Sequence, residues 1–171
     1  RREAGGGVIL DAIHELDYLG WILGPVATVN AAVAARLSDL DIDVEDYACL
    51  ALRHASGTVS EIHLDYLRPY KRRGCELVGE DGMLLWQSEG KNPEICSVRL
   101  FRRDRDQWET LHASDSLDGN EPYRLMLGRF IAGGEQEWSL LLDGRQALRE
   151  LEVALEARAR AGAGAMCCAT S

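Results

Sequence analysis

The sequence predicts an α+β domain: one largely antiparallel sheet of about six or seven strands with helices packed on one face. Three observations predict it. One helix-period segment opens the chain, a succession of short strand-like runs joined mostly by tight turns follows, and the helical period returns after Gly119. Hairpin-linked strands pair antiparallel, and elements segregated in this order place helices on one side of such a sheet.

Residues 7–23 read as the first helix. Val8, Ala12, Leu16, Leu19 and Leu23 form its apolar stripe, and Gly24-Pro25 stops it. Residues 26–36, rich in Val and Ala, read as a strand, and residues 38–43 as an acidic turn. Residues 45–55 and 58–67 flank Ser56-Gly57 and predict a hairpin. In its second strand Val59, Ile62, Leu64 and Tyr66 alternate against Ser60, Glu61, His63 and Asp65, which requires a one-residue slip near Glu61.

Residues 75–78 and 83–87 flank the turn Glu80-Asp81-Gly82, and a loop with Gly90, Asn92 and Pro93 follows. Residues 95–102 and 107–112 flank Asp104-Arg105-Asp106. Residues 121–132 are a helix ended by Gly133-Gly134, and residues 140–160 a long amphipathic helix with Leu141, Leu148, Leu151 and Leu155 on one stripe. The small residues from Ala161 onward predict a frayed end. The expectation is one domain over residues 1–165 and a tail over 166–171, without repeats or a linker. The uncovered sheet face is a surface for self-association.

At 171 residues, with 46% hydrophobic and 27% charged residues, the chain can bury a core. Its net charge of −9 argues against a nucleic-acid partner, which needs a basic face, although a local basic cluster can still hold a small anion. No apolar run reaches the ~18 residues of a membrane span, and no signal peptide is visible. Of the five cysteines, Cys49, Cys75 and Cys96 stand singly in strand-like runs and read as buried free thiols, while Cys167-Cys168 are vicinal near the end. A cytoplasmic location is expected.

The most distinctive pattern is a stripe of Asp11, His14, Tyr18 and Trp21 along one face of the first helix. An acid beside a histidine fixes its tautomer and raises its basicity, which suits proton transfer near neutral pH. The alternative is an exposed acid with a packed histidine. Gly5-Gly6-Gly7 precede this helix. They either let backbone N–H groups approach a ligand at its N-terminus or serve as a flexible leader.

Lys71-Arg72-Arg73 follow Tyr66-Leu67-Arg68-Pro69-Tyr70 and can hold a carboxylate or sugar hydroxyls, or form a solvated loop. The basic run at 102–105 reads as a hairpin tip. His54 and His63 flank Ser56-Gly57 without a third ligand at metal-like spacing, so no zinc site is expected, and no Cys/His catalytic arrangement is visible. The glycine run lacks the spacing and the preceding strand of a dinucleotide fingerprint, so no nicotinamide-binding half is recognisable.

Residues 5–24 closely resemble the start of the C-terminal domain of the Gfo/Idh/MocA oxidoreductases, the glucose–fructose oxidoreductase and inositol dehydrogenase family. The segment His63-Leu64-Asp65-Tyr66-Leu67-Arg68-Pro69-Tyr70 resembles the family's strand leading to a substrate-side loop. Residues 74–86, from Gly74-Cys75-Glu76 to Trp86, are similar to its C-E-x-x-G-x-x-G-x-x-x-W hairpin. Asn120-Glu121-Pro122-Tyr123 with Phe130 resembles its penultimate helix, and residues 147–157 its last.

The resemblance implies a partner Rossmann domain holding NAD or NADP, and hydride transfer to or from a hydroxyl-bearing carbon of a sugar, cyclitol or related polyol. His14 would take the family's acid/base role, with Asp11 orienting it or touching the ligand. Asp17 and Tyr18 are further contacts, and Arg72, Arg73 and Tyr123 substrate-side groups. Many members space the acid and the histidine by four residues; here the spacing is three. The family's Glu-Lys-Pro segment is missing along with the cofactor domain. The chain is therefore expected to be an excised C-terminal domain or a truncated product that does not turn over alone. A homodimer or homotetramer through the sheet face is expected. The alternative is a non-catalytic ligand-binding or dimerisation module.

Overall fold

Among the described residues seven strands form two antiparallel meanders, in place of the single continuous sheet expected from the sequence. The computed structural model describes residues 1–91, 93–134 and 141–167. Asn92, Leu140 and residues 168–171 of the expected tail lie outside them. The chain divides into two compact units, Arg1–Leu67 with Leu142–Ser171, and Arg68–Leu141.

In the first unit a single 3-10 turn, Arg2–Ala4, leads to α1 (Val8–Asp11) and α2 (Ile13–Leu23). The expected continuous helix breaks at Ala12, whose φ of −101° and ψ of 25° leave the helical basin. The Glu15 N–H then reaches back only to the Ala12 carbonyl, at 2.9 Å. One displaced dihedral pair leaves the apolar spacing almost intact, so the periodicity conceals the break.

Strands β1 (Val26–Ala35), β2 (Tyr47–His54) and β3 (Val59–Asp65) follow in the order β1-β2-β3. The β2–β3 register is unbroken, so the expected slip near Glu61 is absent. Val59 instead faces outward and is exposed, while Ser60 turns inward. A buried imidazole takes up that hydroxyl: His54 Nε2 lies 2.9 Å from Ser60 Oγ, and His54 Nδ1 lies 2.7 Å from the Gly24 carbonyl oxygen.

The long helix α4 (Gly144–Cys167), numbered after the helix of the second unit, runs against β1 and also touches α1 and α2. It stays helical from Ala161 to Cys167, where fraying was expected. Among its described residues Ala154, Ala157 and Ala161 are the buried apolar ones, small enough for close approach to the sheet. They close a core of Ile9, Leu16, Leu19, Val29, Leu50, Leu52 and Leu64. Each large member contributes roughly 1.5–3 kcal/mol by burial.

The second unit is the meander β4 (Arg72–Val78), β5 (Gly82–Glu89), β6 (Glu94–Arg102) and β7 (Gln107–Leu117), followed by α3 (Glu121–Ala132). Among its described residues no apolar side chain is fully buried, and the buried residue is Ser88. Ser88 donates to Glu94, which also holds Lys71 Nζ at 2.6 Å. The two meanders separate at residues 66–71, where Pro69 offers no N–H to a ladder and β3 and β4 do not pair. No helix among the described residues is long and apolar enough to cross a membrane.

Candidate functional site

Of the three glycines, Gly7 is the seat for an acid side chain of this chain itself, while Gly6 lies against the Arg1 backbone and Gly5 meets nothing within 4 Å. Gly7 precedes α1 with φ of 128°, and a Cβ there would lie 2.2 Å from Glu45 Oε1. The Val8 N–H donates to the Glu45 carbonyl at 3.0 Å, and Arg158 Nε stands 3.5 Å from Glu45 Oε2. Glu45 Oε1 is buried without a hydrogen-bond partner. The start of α1 is thus occupied by a carboxylate. A free anion-binding N-terminus and a flexible leader, the two expectations for this run, are both replaced by that arrangement.

Asp11, at the end of α1, accepts a hydrogen bond from the Tyr66 phenol just beyond β3. Burial pushes the Tyr66 hydroxyl above its ordinary pKa, and the Asp11 hydrogen bond and charge add to the shift, so the phenol remains a donor. His14 is the second residue of α2, with its side chain 54% exposed and Nε2 3.3 Å from Glu15 Oε1. The acid paired with His14 is therefore Glu15, while Asp11 is engaged by Tyr66. The break at Ala12 removes the continuous helix on which Asp11, His14, Tyr18 and Trp21 were to form one stripe. Tyr18 is half-buried, and Trp21 is exposed.

Asp17 lies near Glu150 of α4. Gly20 of α2 gives that carboxyl its room, since a Cβ there would lie 2.8 Å from Glu150 Oε1. Glu150 is buried, with Oε2 unpaired. Burial, then the Asp17 charge, pushes its carboxyl above the ordinary carboxylate range, and Arg149 partly opposes this. The folded chain thus retains a proton that the unfolded chain releases. Stability from this group is lost as pH rises from the ordinary carboxylate pKa to the raised one. Glu150→Gln is expected to raise Tm at neutral pH by a few degrees, about 1 kcal/mol. The gain should shrink in melts recorded near pH 4.

Arg72, Arg73 and Tyr123 belong to the second unit. Arg72 and Arg73 line one cleft of about 270 Å³ together with Arg68, Glu76, Trp86 and Gln87. The Arg73 guanidinium lies over the Trp86 ring, 5.4 Å from its centroid, and Arg72 Nε is 3.2 Å from Glu89. The cleft has the forked donors and aromatic wall that suit a carboxylate or a hydroxyl-rich ring. Tyr123, on α3, is exposed and does not line it.

Sequence reasoning missed Glu15 and Tyr66 as the partners of His14 and Asp11. It also missed that Cys49 faces His63 across β2 and β3. Cys49, Cys75 and Cys96 are half-exposed rather than buried. Neighbour order in the sequence reveals Glu15. The other two contacts depend on tertiary packing and on strand register.

Residues 1–85 match the family model described as the GFO/IDH/MocA C-terminal domain. Inositol 2-dehydrogenase 2 of Paenarthrobacter aurescens is 32% identical over 130 residues, 72% of this chain and 37% of that protein. The 1,5-anhydro-D-fructose reductase of Ensifer adhaerens is 31% identical over 101 residues, 58% of this chain and 30% of that protein. The chain thus matches about a third of the length of these curated relatives. The WlbA dehydrogenase of Bordetella pertussis, solved in complex with NADH and UDP-GlcNAcA, shares the fold with a TM-score of 0.60 at 22% identity. That match covers 93% of this chain and 45% of that one.

Proposed function

Because this chain belongs to the GFO/IDH/MocA C-terminal domain family, we propose that it is the substrate-binding and dimerisation half of an NAD(P)-dependent oxidoreductase acting on a sugar, cyclitol or related polyol. The observation that carries the reading is His14: an accessible imidazole with a carboxylate on one nitrogen, inside the segment matched by the family model. In this reading His14 exchanges a proton with the reacting hydroxyl, and Glu15 steadies the imidazolium that forms. Asp11, held by Tyr66, shapes the wall beside it.

The nicotinamide, which gives or takes the hydride, belongs to residues outside this chain. The glycine run, which alone among the described residues invites comparison with a phosphate cradle, presents the Glu45 carboxylate where a pyrophosphate would need N–H donors. Self-association through the four-stranded sheet is part of the same reading. Its register puts the exposed Val78, Ile95 and Trp108 on one face.

The test is kinetic. In the longer polypeptide that carries this domain, His14→Ala is expected to lower kcat for polyol oxidation by about 10²-fold or more, followed as nicotinamide absorbance. Glu15→Gln should produce a smaller loss. Unchanged turnover in His14→Ala would remove the acid/base assignment and favour a domain that binds ligand without taking part in the chemistry.

A further inference from the structure

Cys49, His63 and Asp65 make a line of nucleophile, base and carboxylate on the outward face of the first sheet. Cys49 in β2 is the register partner of His63 in β3, so both side chains leave the sheet on one side. Cys49 Sγ lies 3.7 Å from His63 Nδ1, and His63 Nε2 lies 2.7 Å from Asp65 Oδ2. The Asp65 side chain is only 5% exposed, and its Oδ1 accepts the Leu67 N–H at 3.0 Å, which fixes the carboxylate. An imidazole giving its Nε2–H to that carboxylate presents the Nδ1 lone pair to the sulfur.

The Tyr47 phenol completes the site. Its oxygen is 3.1 Å from Cys49 Sγ, and its ring meets the imidazole edge-on with centroids 5.1 Å apart. The hydrogen bond with Cys49, then the Cys49 charge, raises the pKa of Tyr47, so the phenol keeps the O–H with which it can donate to a sulfur anion. This constellation follows the general rule for an activated nucleophile: a thiol within reach of a base that a third group orients. None of its members belongs to the His14 site.

We propose that Cys49 is a nucleophilic thiol with His63 as its general base and Asp65 as the residue that positions His63, a covalent modification site for soft carbon electrophiles. In the step with an alkyl halide, the thiol proton passes to His63 Nδ1. The sulfur lone pair forms the S–C bond while the C–halogen bond breaks, and the halide leaves with that electron pair. The imidazolium, held against Asp65, returns its proton to water.

The 171-residue chain carries its own comparison, because Cys96 is another half-exposed thiol. With limiting iodoacetamide at neutral pH and peptide mapping by mass spectrometry, Cys49 is expected to be carbamidomethylated about tenfold faster than Cys96. His63→Gly should slow Cys49 by about tenfold or more and leave Cys96 unchanged, and added imidazole should restore much of the lost rate. Should that variant fail to fold, His63→Gln gives the same comparison on a side chain of similar bulk. Asp65→Asn should slow Cys49 while His63 is still present, with partial rescue by imidazole. Equal rates at Cys49 and Cys96, or a His63 variant that leaves Cys49 unaffected or unrescued, overturns the proposal.

Discussion

Gly7→Ala is expected to destabilise the protein by about 3 kcal/mol, which lowers Tm by roughly 6–12 °C for a domain of this size. Two separate costs add at this position. The backbone φ of 128° is one that an L side chain rarely adopts, and a new methyl group would meet Glu45 Oε1 at 2.2 Å. The carboxylate cannot withdraw without loss, since its other oxygen faces Arg158 and the Glu45 backbone carbonyl holds the Val8 N–H. Gly5→Ala is the useful comparison. That glycine also has positive φ, at 75°, but meets nothing within 4 Å, so it should lose only about 1 kcal/mol. Melting curves of the two variants decide the point, and equal losses would mean that the Glu45 contact contributes nothing.

Asp46→Ala should cost a similar amount, about 3 kcal/mol, by a different route. Asp46 is fully buried where the β1–β2 connection meets β2. Its carboxylate accepts the Leu37 N–H at 2.7 Å, the Ser38 N–H at 2.9 Å and the Ser38 hydroxyl at 2.5 Å. Its backbone is also tied, by its N–H to the Ala35 carbonyl and by its carbonyl to the Tyr66 N–H. Truncation removes the buried acceptor that all three donors share. Burial alone would raise the carboxyl, but the hydrogen bonds from Ser38 and Leu37 outweigh it and hold the pKa below the ordinary carboxylate value. The stabilisation is therefore complete above that value and disappears as pH falls through the lowered one. The difference in Tm between wild type and Asp46→Ala should be large at pH 7 and contract in strong acid. A difference independent of pH would assign the loss to packing rather than to the charged form.

Much of the secondary structure is legible in the sequence because its signals are local. Period-2 alternation locates the strands, and Ser56-Gly57 and Glu80-Asp81-Gly82 locate turns between them. The partition into two sheets is not local. Every hairpin obeys the same rule, and nothing but the Pro69 segment marks where one ladder stops. At the site, the residue types around His14 are visible, but their pairing turns on the dihedrals of Ala12, which exchange the expected Asp11 for Glu15. The Cys49–His63 contact was within reach. An unbroken register counted outward from Ser56-Gly57 places them opposite each other, but the reading of Cys49 as a buried thiol set it on the other face from the outward-facing His63.

Among the described residues the buried apolar side chains all belong to a unit made from residues 1–67 and the helix α4, with the four-stranded meander inserted between those segments in the chain. On a ribosome, Leu50 and Leu52 emerge long before Ala154 and Ala157 exist to cover them. Nascent chains that stop short of α4 should consequently remain clients of hydrophobic-binding chaperones, and release should coincide with the arrival of that helix.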